Sequence, residues 1–264
     1  EPGDEAVDLV TVDTDEHDLL VRREPGPGDA VVVTPSHQHP TGAVLAGDRR
    51  PRLLEWLRER DAIAIEDDYD AEYRYDRAAV GALQGLEPDR IVYAGSVSKT
   101  LAPALRLGWL VVPEHLVDAV TDEKDLADCG TARIEQQAFA SFLARGELDR
   151  HLRRMRTEYR RRRDVLVEAL GDALPEATIH GIAAGLHATV ELPDDYDERA
   201  ILEEARARRI DLTTMRDFWI EPGTRAPTLL VGYGQVPEPA INTAVSELAD
   251  AVRAARQTTP SSRR

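Results

Sequence analysis

The run Ile91-Val92-Tyr93-Ala94-Gly95-Ser96-Val97-Ser98-Lys99 sets a short apolar segment directly before two hydroxyls and a lysine. Ile91–Ala94 is too short for an ordinary helix and is rich in strand-forming side chains, so it reads as a buried strand. Three similar runs lie around it: Ala30–Thr34, Ala62–Ile65 and Leu107–Val112. Between the first two, Asp48–Arg60 carries Leu53, Leu54 and Leu57 on one helical face. Strand, helix, strand is a parallel βαβ unit, so the first half is expected to be α/β.

Pro113 closes that pattern, and helical spacing follows. Arg133–Arg145 repeats Ile134, Ala138, Phe142 and Leu143, and a longer helix runs from Glu147 to about Leu170. The second helix is densely basic from Arg150 to Arg163, which reads as a solvated or inter-subunit face in preference to a DNA-binding stripe. The remainder reads as a smaller α+β unit. Its strands are expected at Thr178–His180, Ala188–Leu192, Ile210–Thr214 and Thr228–Val231, and its helices at Glu198–Arg209 and Pro239–Arg256. The expected division is a large α/β domain over 1–113, connecting helices over 114–170, a small α+β domain over 171–256 and a frayed polar tail over 257–264.

Composition narrows the function classes. No apolar stretch approaches the roughly 20 residues that span a bilayer, and Glu1-Pro2-Gly3-Asp4-Glu5 lacks the features of a signal peptide. Cys129 is the only cysteine, which excludes an intrachain disulfide framework and a cysteine-rich zinc site. A cytoplasmic, reducing compartment is the expectation. The net charge of −16 argues against this segment itself gripping a nucleic-acid backbone. Lys99 and Lys124 are the only lysines among 33 basic residues, so surface decoration explains Lys99 poorly.

Four polar clusters carry candidate chemistry. In Ser96-Val97-Ser98-Lys99, two hydroxyls and nearby N–H groups can bind a phosphate monoester while the ammonium condenses with an aldehyde. Arg106, seven residues on, offers a permanent charge for phosphate. A loop with a surface lysine is the plain alternative. Glu66-Asp67-Asp68-Tyr69 ends another strand, at the sheet edge where α/β ligands bind. Pyridoxal phosphate (PLP) needs a carboxylate against its ring nitrogen and benefits from a hydroxyl near its phenolic oxygen. Asp67 and Tyr69, two apart on an extended segment, point the same way and can supply both. A polar strand exit is the alternative. A metal site lacks further ligands at suitable spacing, and a glycosidase pair lacks an aromatic sugar platform. Thr34–Gly42 follows a strand with turn residues, and its His37 and His39 read as hydrogen-bond donors rather than metal ligands. Arg216, in Met215–Trp219 after a strand, can bind a substrate carboxylate or sit on the surface.

In combination, Asp67-x-Tyr69, Ser96-x-Ser98-Lys99 and Arg106-x-Gly108 resemble the aspartate-aminotransferase-like fold, fold type I of the PLP enzymes. The finer resemblance is to MocR regulators, a GntR subgroup pairing a winged helix-turn-helix with an aminotransferase-like domain. It is carried by TPSHQHPTG (34–42), EDDYDAEYRY (66–75), SVSKTLAPALRLG (96–108), HLRRMR (151–156), Gly185-Leu186-His187 and Leu230-Val231-Gly232-Tyr233. The resemblance implies PLP held as a Schiff base on Lys99, Asp67 at the pyridine nitrogen and Tyr69 at the phenolic oxygen. It further implies Ser96, Ser98 and Arg106 at the phosphate and Arg216 at the carboxylate of an amino ligand. His39 stands where stand-alone aminotransferases have an asparagine at the phenolic oxygen, a departure shared by MocR-like sequences.

Against the family pattern, Glu1 falls inside the large domain. The chain is therefore expected to be truncated at its N-terminus, with part of the PLP site missing and sheet edges unpaired. The leading expectation is the effector and oligomerisation domain of a MocR-type regulator. An amino compound or PLP itself would be the signal, a homodimer the expected assembly, and DNA contacted only through a domain absent from this chain. The alternative is a catalytic aminotransferase in which Lys99 also acts as general base. A third reading is a cofactor-free fragment retained for subunit contacts.

Overall fold

The structure is a computed structural model describing residues 13–15, 18–20, 30–75, 81–181, 183–219 and 225–258. Strands β1 (Asp13–Asp15) and β2 (Asp18–Leu20) form a small antiparallel pair. A four-stranded sheet then takes β3 (Ala30–Val33), β4 (Ile63–Asp68), β5 (Ile91–Ser96) and β6 (Gly108–Val111) in that order. Strands β3, β4 and β5 are parallel, and α1 (Arg49–Arg60) makes the first crossover. Its Leu53, Leu54 and Leu57 are buried as the spacing requires, packing with Val31, Val33, Ala62, Ala64 and Ile91.

Strand β6 runs antiparallel to β5, pairing Ser96 with Gly108 and Gly95 with Trp109. The connection over 97–107 holds only a 3₁₀ turn at Pro103–Leu105, and a parallel return needs a longer crossover. Gly95 is required by the partner strand, because a Cβ there would lie 2.5 Å from the Trp109 indole. Helix α1 covers one sheet face. The other leaves Val32 64% exposed, and all four residues of β6 are exposed among the described residues.

Next come α2 (Val117–Asp128), α3 (Arg133–Ala144) and α4 (Glu147–Ala173). Helix α2 was not separately anticipated. Ile134 and Leu143, two of the apolar positions at helical spacing in α3, are exposed. The second sheet is antiparallel in the order β7 (Thr178–His180), β8 (His187–Glu191), β10 (Thr228–Gly232), β9 (Thr213–Thr214). It packs with α4, α5 (Glu198–Ala207) and α6 (Glu238–Thr258) around Leu166, Leu170, Val190, Ile201, Leu229 and Val252. Asp197 starts α5 by accepting from the N–H groups of Arg199 and Ala200. The strand expected over Ile210–Thr214 shrinks to β9, because Ile210 still bonds back to the Ala205 carbonyl. The expected polar tail is helical through Thr258, and its remainder lies outside the described residues.

Residues 71–75 strap the two sheets together. Tyr73 and Tyr75 are buried in the core of the second sheet, and Tyr75 bonds the Ala183 carbonyl through its N–H. The hydroxyls of Tyr75 and Tyr233 both donate to the Gly185 carbonyl, each at 2.7 Å. The basic face of α4 is mostly exposed, Arg150, Arg153, Arg154, Arg156, Arg160 and Arg161 among it, in keeping with a solvated face, and some of its arginines also reach back to the strap. Arg156 donates to the Glu72 carbonyl at 2.9 Å, Arg160 to that of Tyr75 and Arg162 to that of Gly234 at 2.5 Å. Arg163 lies over the Tyr75 ring, 4.9 Å from its centroid. The first three of these long side chains cap carbonyls of the strap and a turn, so part of the basic run braces the fold while the rest faces solvent. Among the described residues, no helix is long and apolar enough to cross a membrane.

Candidate functional site

The polar clusters converge at the carboxyl ends of β3, β4 and β5. Asp67 and Asp68 register with Ala94 and Gly95, which places them beside Ser96 and the turn that carries Lys99. Alternation along β4 sorts the acids. Glu66 is 1% exposed, turned into the sheet's underside, where it accepts from the N–H groups of Leu83 and Gln84 at 3.0 Å each. Burial raises its carboxyl above the usual range despite those bonds. It holds the 83–84 segment and does not join the site. Asp68 accepts from Tyr93 Oη at 2.8 Å.

Asp67 faces the opposite way, and no hydrogen bond among the described residues ends on its carboxylate. Partial burial, then repulsion from Asp68 and Asp70, raises its pKa. Three neighbouring carboxylates make this edge favourable for a cation, which is what a protonated ring nitrogen provides.

Lys99 lies close enough to His39 and His187 to lower both imidazoles electrostatically. The turn bearing it is anchored one residue later, where the Thr100 carbonyl accepts from His151 Nε2 at 2.8 Å and Tyr73 Oη at 3.3 Å. Ser98 N–H donates to Ser96 Oγ at 3.3 Å, folding the hydroxyl pair into one turn. Arg106 is exposed at the end of the same loop in a left-handed conformation with φ 50°. Arg216 is half-buried in the 3₁₀ turn Met215–Phe218, whose Phe218 ring meets His39 edge-on at 5.4 Å. The turn carrying Arg216 therefore borders the same cleft.

Histidines line the remaining side. His37 is fully buried with Nδ1 2.9 Å from Asp70 Oδ2 and 3.1 Å from Tyr69 Oη, so it acts as a hydrogen-bonding group, as anticipated. His187 Nε2 donates to the Pro40 carbonyl at 3.1 Å. No group of three or more His, Cys, Asp or Glu side chains among the described residues is arranged to hold a metal. Sequence reading missed Asp70, Tyr93 and His151. The quoted MocR-like stretches contained Asp70 and His151, but nothing local gave their partners.

Burial, then the neighbouring His37 and His39, pulls the His187 imidazolium down to about 3. An imidazole reference of about 6.5 applies in the unfolded chain. Between those values the unfolded state binds the extra proton, so His187 makes stability rise with pH across that window and fall on acidification. The slope from one such group is at most about 1.4 kcal/mol per pH unit. Urea unfolding of His187→Gln, which keeps a donor for Pro40, is expected to be flatter between pH 4 and 6. An unchanged slope would contradict this burial.

The chain matches the aminotransferase class I and II family over residues 9–216. The chain belongs to that family. With the family comes its cofactor, PLP, and the donor set fits it: an unpaired carboxylate in an acidic edge, a hydroxyl turn and a lysine. Among relatives, the pyridoxine biosynthesis regulator PdxR of Corynebacterium glutamicum is 35% identical over 251 residues, 95% of this chain and 54% of the relative. The probable rhizopine catabolism regulator MocR of Rhizobium meliloti is 31% identical over 224 residues, 84% of this chain and 45% of the relative. The chain thus spans about half the length of these regulators. The crystal structure of a multiple substrate aminotransferase from Thermococcus profundus superposes with a TM-score of 0.84 at 25% identity, covering 95% of this chain and 65% of that one. The fold is that of the fold type I aminotransferases, represented in part.

Proposed function

We propose that this chain is the aminotransferase-like part of a MocR-type transcriptional regulator, in which bound PLP and an amino compound, or PLP alone, act as the signal. The observation that carries this reading is the similarity to PdxR along 95% of the chain. In it, Lys99 would hold the cofactor aldehyde and Asp67 the ring nitrogen. Tyr69 and His39 would face the phenolic oxygen, and Ser96, Ser98 and Arg106 the phosphate. Arg216 would take the carboxylate of the amino ligand. When bound, PLP supplies an aldehyde that condenses with amines and a ring that accepts electron density. The chain's own groups orient it, and the acidic edge keeps the ring nitrogen protonated. DNA binding would belong to a winged helix outside this chain, and the assembly would be a cytoplasmic homodimer.

The second reading, a catalytic aminotransferase, is favoured by the likeness to the Thermococcus profundus enzyme. The two are separated by loading the full-length protein with PLP and offering a panel of amino acids and 2-oxo acids. At most a single turnover, together with PLP-dependent binding to DNA upstream of its own gene, is expected of a regulator. Sustained turnover without DNA binding would overturn that reading.

A further inference from the structure

Asp70 and His37 form a buried pair behind Tyr69 for which the family resemblance gave no role. His37 Nδ1 has two neighbours within hydrogen-bond reach, Asp70 Oδ2 at 2.9 Å and Tyr69 Oη at 3.1 Å. An ionised carboxylate only accepts, so the imidazole hydrogen must sit on Nδ1. His37 Nε2 is buried without any partner, and a hydrogen there would be left unsatisfied. One tautomer therefore satisfies the geometry, with Nδ1–H shared between Asp70 and Tyr69. In that arrangement Tyr69 Oη accepts from His37, and its own hydrogen must point elsewhere. Among the described residues it has no other hydrogen-bond partner.

We propose that Asp70 and His37 are positioning residues that commit the Tyr69 hydroxyl to donating into the cleft shared with Lys99, toward an anionic oxygen. The proposal rests on the reading of Tyr69 as the group facing the phenolic oxygen of PLP. His37 is fixed in this duty by packing, because its ring lies so close over Gly185 that a Cβ there would be 2.1 Å from Cε1. Asp70 is 3% exposed and held by the same strap that carries Tyr73 and Tyr75. The charged and titratable groups around the hydroxyl are Asp67, Asp68 and Asp70 on its own segment, His37 and His39 after β3, Lys99 after β5 and His187 on β8. Burial and the three aspartates hold the Tyr69 phenol well above its ordinary range, so it remains a donor at any working pH.

A donor to the phenolic oxygen favours its anionic form, so its loss raises the pH at which lysine-bound PLP changes its visible spectrum. The experiment is that spectral titration on the full-length PLP-loaded protein, comparing wild type with Tyr69→Phe, His37→Phe, His37→Asn and Asp70→Ala. Tyr69→Phe is expected to raise the midpoint by about one pH unit or more, and His37→Phe by at least about half as much. His37→Asn keeps a donor at the Nδ1 position and is expected to stay near wild type. Asp70→Ala frees the tautomer, lets His37 accept from Tyr69, and is expected to shift as His37→Phe does, which keeps the test alive if His37→Phe does not fold. If Tyr69→Phe shifts while His37→Phe and Asp70→Ala do not, the positioning role is overturned and the PLP reading stands. If His37→Asn shifts as far as His37→Phe, the effect is packing and the proposal fails. If Tyr69→Phe itself leaves the midpoint unmoved, the placement of Tyr69 at the phenolic oxygen is what fails.

Discussion

Lys99→Ala is expected to abolish the visible absorption that the full-length protein gains on binding PLP, whereas Lys124→Ala leaves it intact. These are the two lysines of the chain, which makes the comparison unusually clean. Lys124 lies on α2, paired with Asp128 at 2.6 Å and remote in the sequence from every candidate group. Lys99 follows the β5 edge, and Thr100, next to it, is anchored by His151 and Tyr73. Without the covalent link, PLP would keep only its phosphate and ring contacts. We expect affinity to fall by about 100-fold or more, equivalent to ~2.8 kcal/mol. Unchanged absorbance in Lys99→Ala would refute the assignment of the lysine, whichever function the protein performs.

Gly42→Ala is expected to be strongly destabilising. Gly42 has φ 73°, and its Cβ would lie 2.4 Å from the Cα of Gly181. The obstacle is backbone, so no side-chain rotation can relieve it. Left-handed strain on alanine contributes about 1–2 kcal/mol, and displacing a packed backbone costs a further ~1–3 kcal/mol. A total near 3 kcal/mol corresponds to a Tm lower by roughly 6–12 °C for a domain of this size. Gly181→Ala is the internal control. It has the same φ of 73°, but its nearest contact, the Gly42 Cα, is at 3.4 Å, so only the strain applies. Equal losses at the two positions would show that the close approach is not what matters.

The parts legible from sequence were those whose signal is local. Strands β4 and β5 are short β-branched runs, α1 shows three leucines on one face, and the Asp67 and Lys99 motifs sit at strand ends where turn residues mark them. The direction of β6 was legible in principle from the short 97–107 connection, but the apolar run alone carries no direction. The pairings His37–Asp70, His151–Thr100 and Tyr75–Gly185 join residues 33, 51 and 110 positions apart, and no periodicity encodes such distances. The arginines of α4 show a related gap. Their charge was plain, but a guanidinium that braces a carbonyl and one that waits for a partner have the same letters.

The doubly accepted carbonyl of Gly185 also says where mutational damage will travel. Two phenols from different segments, Tyr75 and Tyr233, close on one oxygen, and the ring of His37 rests on the same residue. That peptide is a keystone between the histidines of the cleft and the core of the second sheet. A substitution at Tyr233, which reads as an ordinary core tyrosine, therefore reaches the histidines of the cleft as well as the core of the second sheet.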